Sequence, residues 1–362
     1  MTAGNLNPGV KVFQGSYYEI GLRMGARLRS LHVPQADHEL VSLARRCEAL
    51  ISDRHAPLLD KVEGMIEGGG LNADDFKAFF YARDALPHMG CTNLAVLPSH
   101  TRDRSLIVGR NYDWYYYSRE WRELRSINPK GAFRSLSVTH HWAGSPDGLN
   151  HHGLGVFLAV LPRQRSTEPG LQWHLVTDVM LDTCRDVREA CDFVTSIPHL
   201  GAFNYLIADA RGRAVVAEAL PNGVTIREPE DGFILATNHL PGREAPEEEL
   251  SEEDARRQRR SLIRYGRASE MLQDRRRQVD ELMVKDLLRE HQAPICRGNH
   301  DPPENGTDFD DVFGTIWSLI ARLTERELLV AWDHPCRSEY RRYGLAQPKQ
   351  EEEWEISSER RY

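Results

Sequence analysis

The sequence predicts an α+β layered fold with antiparallel sheets, on three observations. The first quarter of the 362-residue chain reads as helix. Short apolar runs joined by polar turns begin at Cys91 and return after residue 200. A pair of helices separates the two groups of strands. Alternating blocks of helices and hairpins make layers around a shared core, and hairpin connections argue against a parallel, doubly wound sheet.

From Tyr17 to about Leu86 the helical segments are YYEIGLRMGARLRSLH, HELVSLARRCEALI and PLLDKVEGMIEGGGL, the last stopped by the glycines at 68 to 70. LNADDFKAFFYARDAL follows as a further helix capped by Asn72 or Asp74. At Cys91 the texture changes: CTNLAVLP and SLIVGRNYDW flank the turn SHTRDR as a hairpin, and AFRSLSVTHH and LGVFLAVL read as more strands. HLVTDVMLDTC and DVREACDFVTSI are the helix pair, with Val187, Ala190, Cys191 and Val194 at helical spacing as core. FNYLIADA, RAVVAEAL, GVTIRE and GFILATNHL resume the strands. Ser251 with Asp254 opens a helix running to about Gln273, whose acidic 247–254 and arginine-rich 256–260 runs read as a solvated face. A helix at VDELMVKDLLREH precedes the last strands, GTIWSLIAR and ELLVAWD, and the tail from 347 to 362 is polar and loose. The expected organisation is one globular unit: a helical segment 1–90, a catalytic core 91–346 and the tail.

Composition narrows the function. A chain 40% hydrophobic and 28% charged, with net charge −8, lacks the basic excess that nucleic-acid binding needs, so the expected partner is a small molecule. The six cysteines (Cys47, Cys91, Cys184, Cys191, Cys296, Cys336) show no CxxC spacing, which points to a reducing compartment. No leader-like or membrane-spanning apolar run is found, and the protein is expected to be cytoplasmic. There is no GxGxxG after a strand and no GxxxxGK[ST], so no nucleotide cofactor is expected.

The chemistry is expected at Gly90-Cys91. A cysteine inside a chain is most simply a buried core thiol, but an autocatalytic N-terminal nucleophile needs Cys, Ser or Thr at a strand start, after a small residue that leaves the scissile carbonyl open. Cleavage there frees an α-amino group of pKa about 8, able to act as base for its own thiol. Arg110 and Asp113, in GRNYDW, end the hairpin partner of the Cys91 strand, where a cation lowers the thiol pKa and a carboxylate holds the amine. Asn150, in the glycine-flanked DGLNHHGLG, and Asn238, in ATNHL, are candidate groups at an oxyanion. Asn93 occupies a strand position expected to face the pocket or the cleavage turn.

The series FQGSYYEIGLRMG, YARDALPHMGCTNLAV, GRNYDW, DGLNHHGLGV, ATNHL, SLIRYGRASEML and GTIWSLIA, in that order, resembles the isopenicillin N acyltransferase family of autoproteolytic N-terminal nucleophile hydrolases, and more distantly the choloylglycine hydrolases. The resemblance runs from about Val12 to Cys336. It implies a four-layer αββα sandwich of two antiparallel sheets, cleavage before Cys91, and a small subunit 1–90 that stays bound as a heterodimer of the chain's own two fragments. It also implies that Arg110 and Asp113 hold the nucleophile and its amine, that Asn150 and Asn238 form or support the oxyanion hole, and that Arg264 steadies the site from a later helix. Without the resemblance, Arg264 reads as a surface residue beside the face of Leu262, Tyr265 and Ala268. Before the cleavage site the chain keeps Arg83 but has Tyr81 and Ala85 where relatives carry polar residues, which bears on cleavage efficiency or pocket shape.

The implied activity is that of a cysteine amidohydrolase or acyltransferase acting on a linear amide through a Cys91 thioester, with hydrolysis favoured and no cofactor. Water or an amine takes the acyl group, and the sequence does not separate the two. The alternative is a catalytically silent binding protein on the same fold, against which the joint presence of Cys91, Arg110, Asp113 and Asn238 weighs. Among the 15 histidines, the pairs His140-His141 and His151-His152 point to opposite faces of a strand, and neither they nor Cys296 with His300 have metal-ligand spacing. They are expected to line a pocket near Asn150 instead.

Overall fold

The computed structural model describes residues 9–30, 32–82, 90–140, 144–162, 166–244, 246, 249–273, 275–298 and 312–345. Arg83, Ala85, His141, His300 and the tail from 347 to 362 lie outside them. Two sheets form the centre. The larger has eight strands in the order β1 (Val10–Gly15), β4 (Glu123–Pro129), β5 (Ser135–Thr139), β6 (Asp147–Asn150), β7 (Leu154–Val160), β8 (Phe203–Asp209), β9 (Ala214–Leu220) and β10 (Gly223–Arg227). The smaller has six, in the order β11 (Phe233–Ala236), β2 (Gly90–Val96), β3 (Ile107–Tyr115), β12 (Phe313–Arg322), β13 (Glu327–Ala331) and β14 (Arg341–Gly344). All pairings between these strands are antiparallel except β1 with β4.

The sheets pack face to face, β2 and β11 lying on β7, β8 and β9. Helices α5 (Trp173–Thr183) and α6 (Val187–Thr195) cover the outer face of the larger sheet, and α7 (Glu252–Leu272) and α8 (Glu281–Leu288) that of the smaller. The result is the expected αββα sandwich. Alternation along β2 serves both cores: Cys91 and Ala95 join the cluster between the sheets, whereas Leu94 and Val96 join the one under α7 and α8. Each large apolar side chain so buried contributes about 1.5–3 kcal/mol.

The segment before Gly90 holds α1 (Tyr17–Ala26), α2 (His38–His55), α3 (Pro57–Gly69) and α4 (Ala73–Lys77), the last capped by Asn72 and followed by a π-helical turn, Ala78–Ala82. It is not all helix. β1 precedes α1 and extends the larger sheet at its edge, as a short and half-exposed strand whose VKVFQG pattern carries little apolar signal. Strand β4 also escapes a hydrophobic reading, because its buried positions include the charged pair Glu123 and Arg125. Helices α1 and α3 touch backbone to backbone: a Cβ on Gly21 would stand 2.0 Å from Lys61 O, and one on Gly64 2.2 Å from Tyr18 O. Buried polar contacts tie this pair to α5, where Lys61 Nζ donates to Asp178 (2.6 Å) and Tyr17 donates to Asp182 (2.7 Å).

Candidate active site

Cys91 is the second residue of β2, facing the other sheet and fully buried. The β2–β3 register pairs it with Tyr112 and pairs Asn93 with Arg110. Residues 91 and 93 share a face, as do 110 and 112, so the Arg110 side chain runs along the inner face of β2 toward the sulfur. Arg110 Nη2 donates to Cys91 Sγ at 3.6 Å, and Arg110 Nη1 donates to Asn93 Oδ1 (2.5 Å) and to Leu158 O on the facing sheet. Its Nε faces Asp147 Oδ1 at 2.6 Å in an ion pair with both side chains fully buried. Asp147 Oδ2 in turn accepts from Trp317 Nε1 (3.0 Å), and the Trp317 ring stacks on Tyr112 at 3.9 Å between centroids.

The backbone of Cys91 is held from the other side. Strand β11 pairs Ala236 with Asn93, so the same register carried two residues on sets Asn238 opposite Cys91. There a side chain replaces the ladder: Cys91 N donates to Asn238 Oδ1 at 2.8 Å. Asn238 Nδ2 donates to Val160 O (2.9 Å), which fixes the amide orientation, since both of its oxygen's neighbours are donors. Arg264 is the second donor. From α7 its Nη2 donates to Asn238 Oδ1 (2.8 Å) and to Cys91 O (3.3 Å), while its Nε donates to Thr92 Oγ1 (3.2 Å). Arg264 is therefore not a surface residue. The buried stripe of α7 is Ser261, Arg264, Ala268 and Leu272, and Leu262 lies outside it. Ser261 Oγ accepts from Asn238 N at 2.8 Å.

Gly90 pairs with Asp113 across the β2–β3 ladder. A Cβ added to Gly90 would sit 2.7 Å from Asp113 Oδ2 and 3.4 Å from Arg297 Nη1, so glycine is what lets the carboxylate approach the backbone here. Thr315 Oγ1 donates to Asp113 Oδ1 (2.7 Å) and accepts from Arg297 N (3.0 Å).

Asn150 does not join this group. Along β6, Asp147 and Leu149 face the second sheet, and Gly148 and Asn150 face α5. Asn150 Nδ2 donates to Leu181 O (3.0 Å) and Cys184 O (2.8 Å), and its Oδ1 accepts from His152 N and Leu154 N. It staples a tight turn to the end of a helix. The residue of DGLN that reaches the site is Asp147, which sequence reasoning passed over for its neighbour three positions on. Thr315 and Trp317 on an apolar strand and Ser261 on a charged helix escape the sequence as well, since nothing in such a residue announces its partner. His140 is buried against Tyr112, its Nε2 at 2.9 Å from the Tyr112 hydroxyl, whereas His151 and His152 pack on Phe133. Cys191 is half-buried and packs against the core from α6.

Burial dominates the electrostatics. It pushes the Cys91 thiol up to about 12 against the pull of Arg110, with Asp113 and Asp147 adding to the rise, so at neutral pH the sulfur keeps its proton. Burial also lifts the Asp147 carboxyl to about 6, opposed by Arg110. Arg264 is lowered to about 10 by burial and remains a cation at neutral pH. His239, beside Ser261, is lowered by burial to about 4 and is neutral.

Residues 99–337 match the family described as "Acyl-coenzyme A:6-aminopenicillanic acid acyl-transferase", more than half of the chain. The chain belongs to that family. The matched stretch carries Arg110, Asp113, Asn150, Asn238 and Arg264 and begins after Cys91. No curated protein matches the chain. Among solved structures, a variant of the conjugated bile acid hydrolase from Clostridium perfringens is similar at 13% identity, covering 70% of this chain and 97% of that one with a TM-score of 0.45. Penicillin V acylase from Agrobacterium tumefaciens is similar at 14% identity, covering 67% and 83% with a TM-score of 0.43. An N-acylethanolamine-hydrolyzing acid amidase orthologue from Caenorhabditis elegans is similar at 14% identity, covering 65% and 93% with a TM-score of 0.45. Among the described residues no helix is long and apolar enough to cross a membrane.

Proposed function

We propose that the protein is an autoproteolytic cysteine amidohydrolase or acyltransferase that cuts itself between Gly90 and Cys91 and then acts on a linear amide through a thioester on Cys91. One observation carries this reading. The sulfur, nitrogen and carbonyl oxygen of a single buried cysteine are each met by a different functional side chain, Arg110, Asn238 and Arg264, drawn from three distant segments.

In self-cleavage Cys91 Sγ attacks the carbonyl carbon of Gly90. The C–N bond breaks, the nitrogen takes the thiol proton, and Gly90 is held as a thioester until water adds and releases it as an acid with the thiol restored. The new α-amine keeps the place of Cys91 N against Asn238 Oδ1, near Asp113. With a pKa of about 8 it takes the thiol proton in the next round. Opening the chain at Gly90 admits water to a sulfur whose high pKa comes first from burial, and Arg110 then favours the thiolate. A substrate amide is attacked in the same way: its amine leaves with the proton held by the Cys91 nitrogen, and water or a second amine takes the acyl group. Hydrolysis is the favoured outcome. Asn238 and Arg264 are the positioning groups, and the second N–H of the Asn238 amide is the donor for the oxyanion. Residues 1–90 stay attached through β1 and the buried Lys61–Asp178 pair as the smaller of two fragments.

Intact-mass spectrometry of the wild type beside Cys91→Ala tests this. Two wild-type fragments, 1–90 and 91–362, with one uncut mutant chain are expected. A wild type that stays whole after prolonged incubation, and whose Cys91 is acylated by no amide or thioester probe, refutes it.

A further inference from the structure

Away from Cys91, two loops bring a second group of chemistry-bearing side chains together. The loop after α8 closes through Cys296 N donating to Glu290 O (3.0 Å), which sets His291 and Cys296 on one side of a short ring. The turn after β13 is closed by Arg337 N and Ser338 N donating to His334 O (both 3.0 Å), with Cys336 at its middle. Arg289 Nε donates to Pro335 O (3.0 Å) and locks the two loops side by side. One ring nitrogen of His291 and the sulfurs of Cys296 and Cys336 then lie within 4.8 Å of one another.

We propose that His291, Cys296 and Cys336 form a zinc-binding site, with water in the fourth position. The two sulfurs stand 3.6 Å apart, close to the roughly 3.8 Å that two thiolates span on a tetrahedral ion with Zn–S bonds of about 2.3 Å. A mixed thiolate and imidazole set selects zinc over the hard cations magnesium and calcium. On binding, each thiol releases one proton to solvent, so a dication replaces two protons and the partly buried site is neutral. His291 is exposed and Cys336 half-buried, which gives the ion its entry path. The cysteines are 40 residues apart in sequence, which is why their spacing resembles no zinc motif.

The site touches the reaction centre indirectly. Arg297, the residue after Cys296, donates through its N–H to Thr315 Oγ1, and Thr315 donates to Asp113. An ion at Cys296 fixes the strap on which that relay depends. The proposal does not rest on self-cleavage, because the three ligands are complete without Cys91.

The test is titration of the full-length chain, freed of metal by a chelator and kept reduced, with Zn²⁺ by calorimetry and with Co²⁺ by absorption, in wild type and in Cys91→Ala. Both chains are expected to bind one equivalent of zinc, and cobalt is expected to give a thiolate charge-transfer band. His291→Ala, an exposed change with little risk to folding, should bind at least about tenfold more weakly, and Cys336→Ser, which keeps one thiolate, should bind more weakly and show a weaker band. The proposal is overturned if the wild type binds no equivalent, if both ligand variants keep wild-type affinity, or if chain purified without reductant is lighter by two hydrogens with Cys296 and Cys336 joined as a disulfide.

Discussion

Replacing Asp147 by Asn keeps the shape of the side chain and removes its charge, which isolates what the carboxylate does for Arg110. In the wild type Oδ1 meets Arg110 Nε at 2.6 Å and Oδ2 accepts from Trp317 Nε1 at 3.0 Å. An amide satisfies one of these and sets its NH₂ against the other, donor facing donor. The guanidinium is left buried without its counter-ion, a change that costs about 3–5 kcal/mol. At about 2 °C per kcal/mol for a large chain, Tm should fall by roughly 6–10 °C. A guanidinium that has lost its anchor no longer holds its place 3.6 Å from Cys91 Sγ, and displacement on the scale of 1 Å slows such chemistry about 10²-fold. The pH profile separates positioning from mere stability. Asp147 loses its charge as pH falls through about 6, so wild-type cleavage should slow below that pH, whereas the slower Asp147→Asn reaction should lack that inflection. The assay is the time course of fragment appearance from freshly refolded chain at several pH values, with Tm measured alongside. A variant that cleaves at the wild-type rate and melts at the wild-type temperature would refute the idea that Asp147 anchors Arg110.

Three further changes probe other parts of the structure. Gly90→Ala pushes a methyl to 2.7 Å from Asp113 Oδ2, displacing a carboxylate that Thr315 holds, and cleavage followed by gel should slow by roughly 10²-fold while Cys91 stays intact. Asn150→Ala removes four hydrogen bonds at about 1 kcal/mol each; denaturant unfolding should show a loss of about 2–4 kcal/mol, with cleavage at low temperature unchanged because the residue faces α5. Gly21→Ala sets a methyl 2.0 Å from Lys61 O and forces α1 and α3 apart, so it should destabilise by about 1–3 kcal/mol and, in cleaved protein, speed release of the smaller fragment on size-exclusion chromatography.

Local pattern along the chain carries the alternation of helices and hairpins and the change of texture at Cys91, and it names Cys91, Arg110, Asp113 and Asn238 as candidates. Periodicity and turn chemistry are local, so FNYLIADA with RAVVAEAL, or CTNLAVLP with SLIVGRNYDW, declare themselves within a few residues, and the β2–β3 hairpin alone brings Cys91, Arg110 and Asp113 near one another. Tertiary structure decided what depends on facing directions and distant partners. One step of strand parity separates Asp147, which meets Arg110 across the sandwich, from the Asn150 side of β6, which meets α5, and no composition signal distinguishes the two before the sheets are stacked. Arg264 is one of several arginines on α7, and only the rotation of that helix onto β2 chooses it over the exposed Arg256 and Arg259. The same holds for Cys296 and Cys336, whose loops are brought together by an arginine-to-carbonyl bond and by the contact of the two sulfurs. A side chain's type is written in the sequence. What it faces is settled by register, helix rotation and packing, which are collective properties of the whole fold.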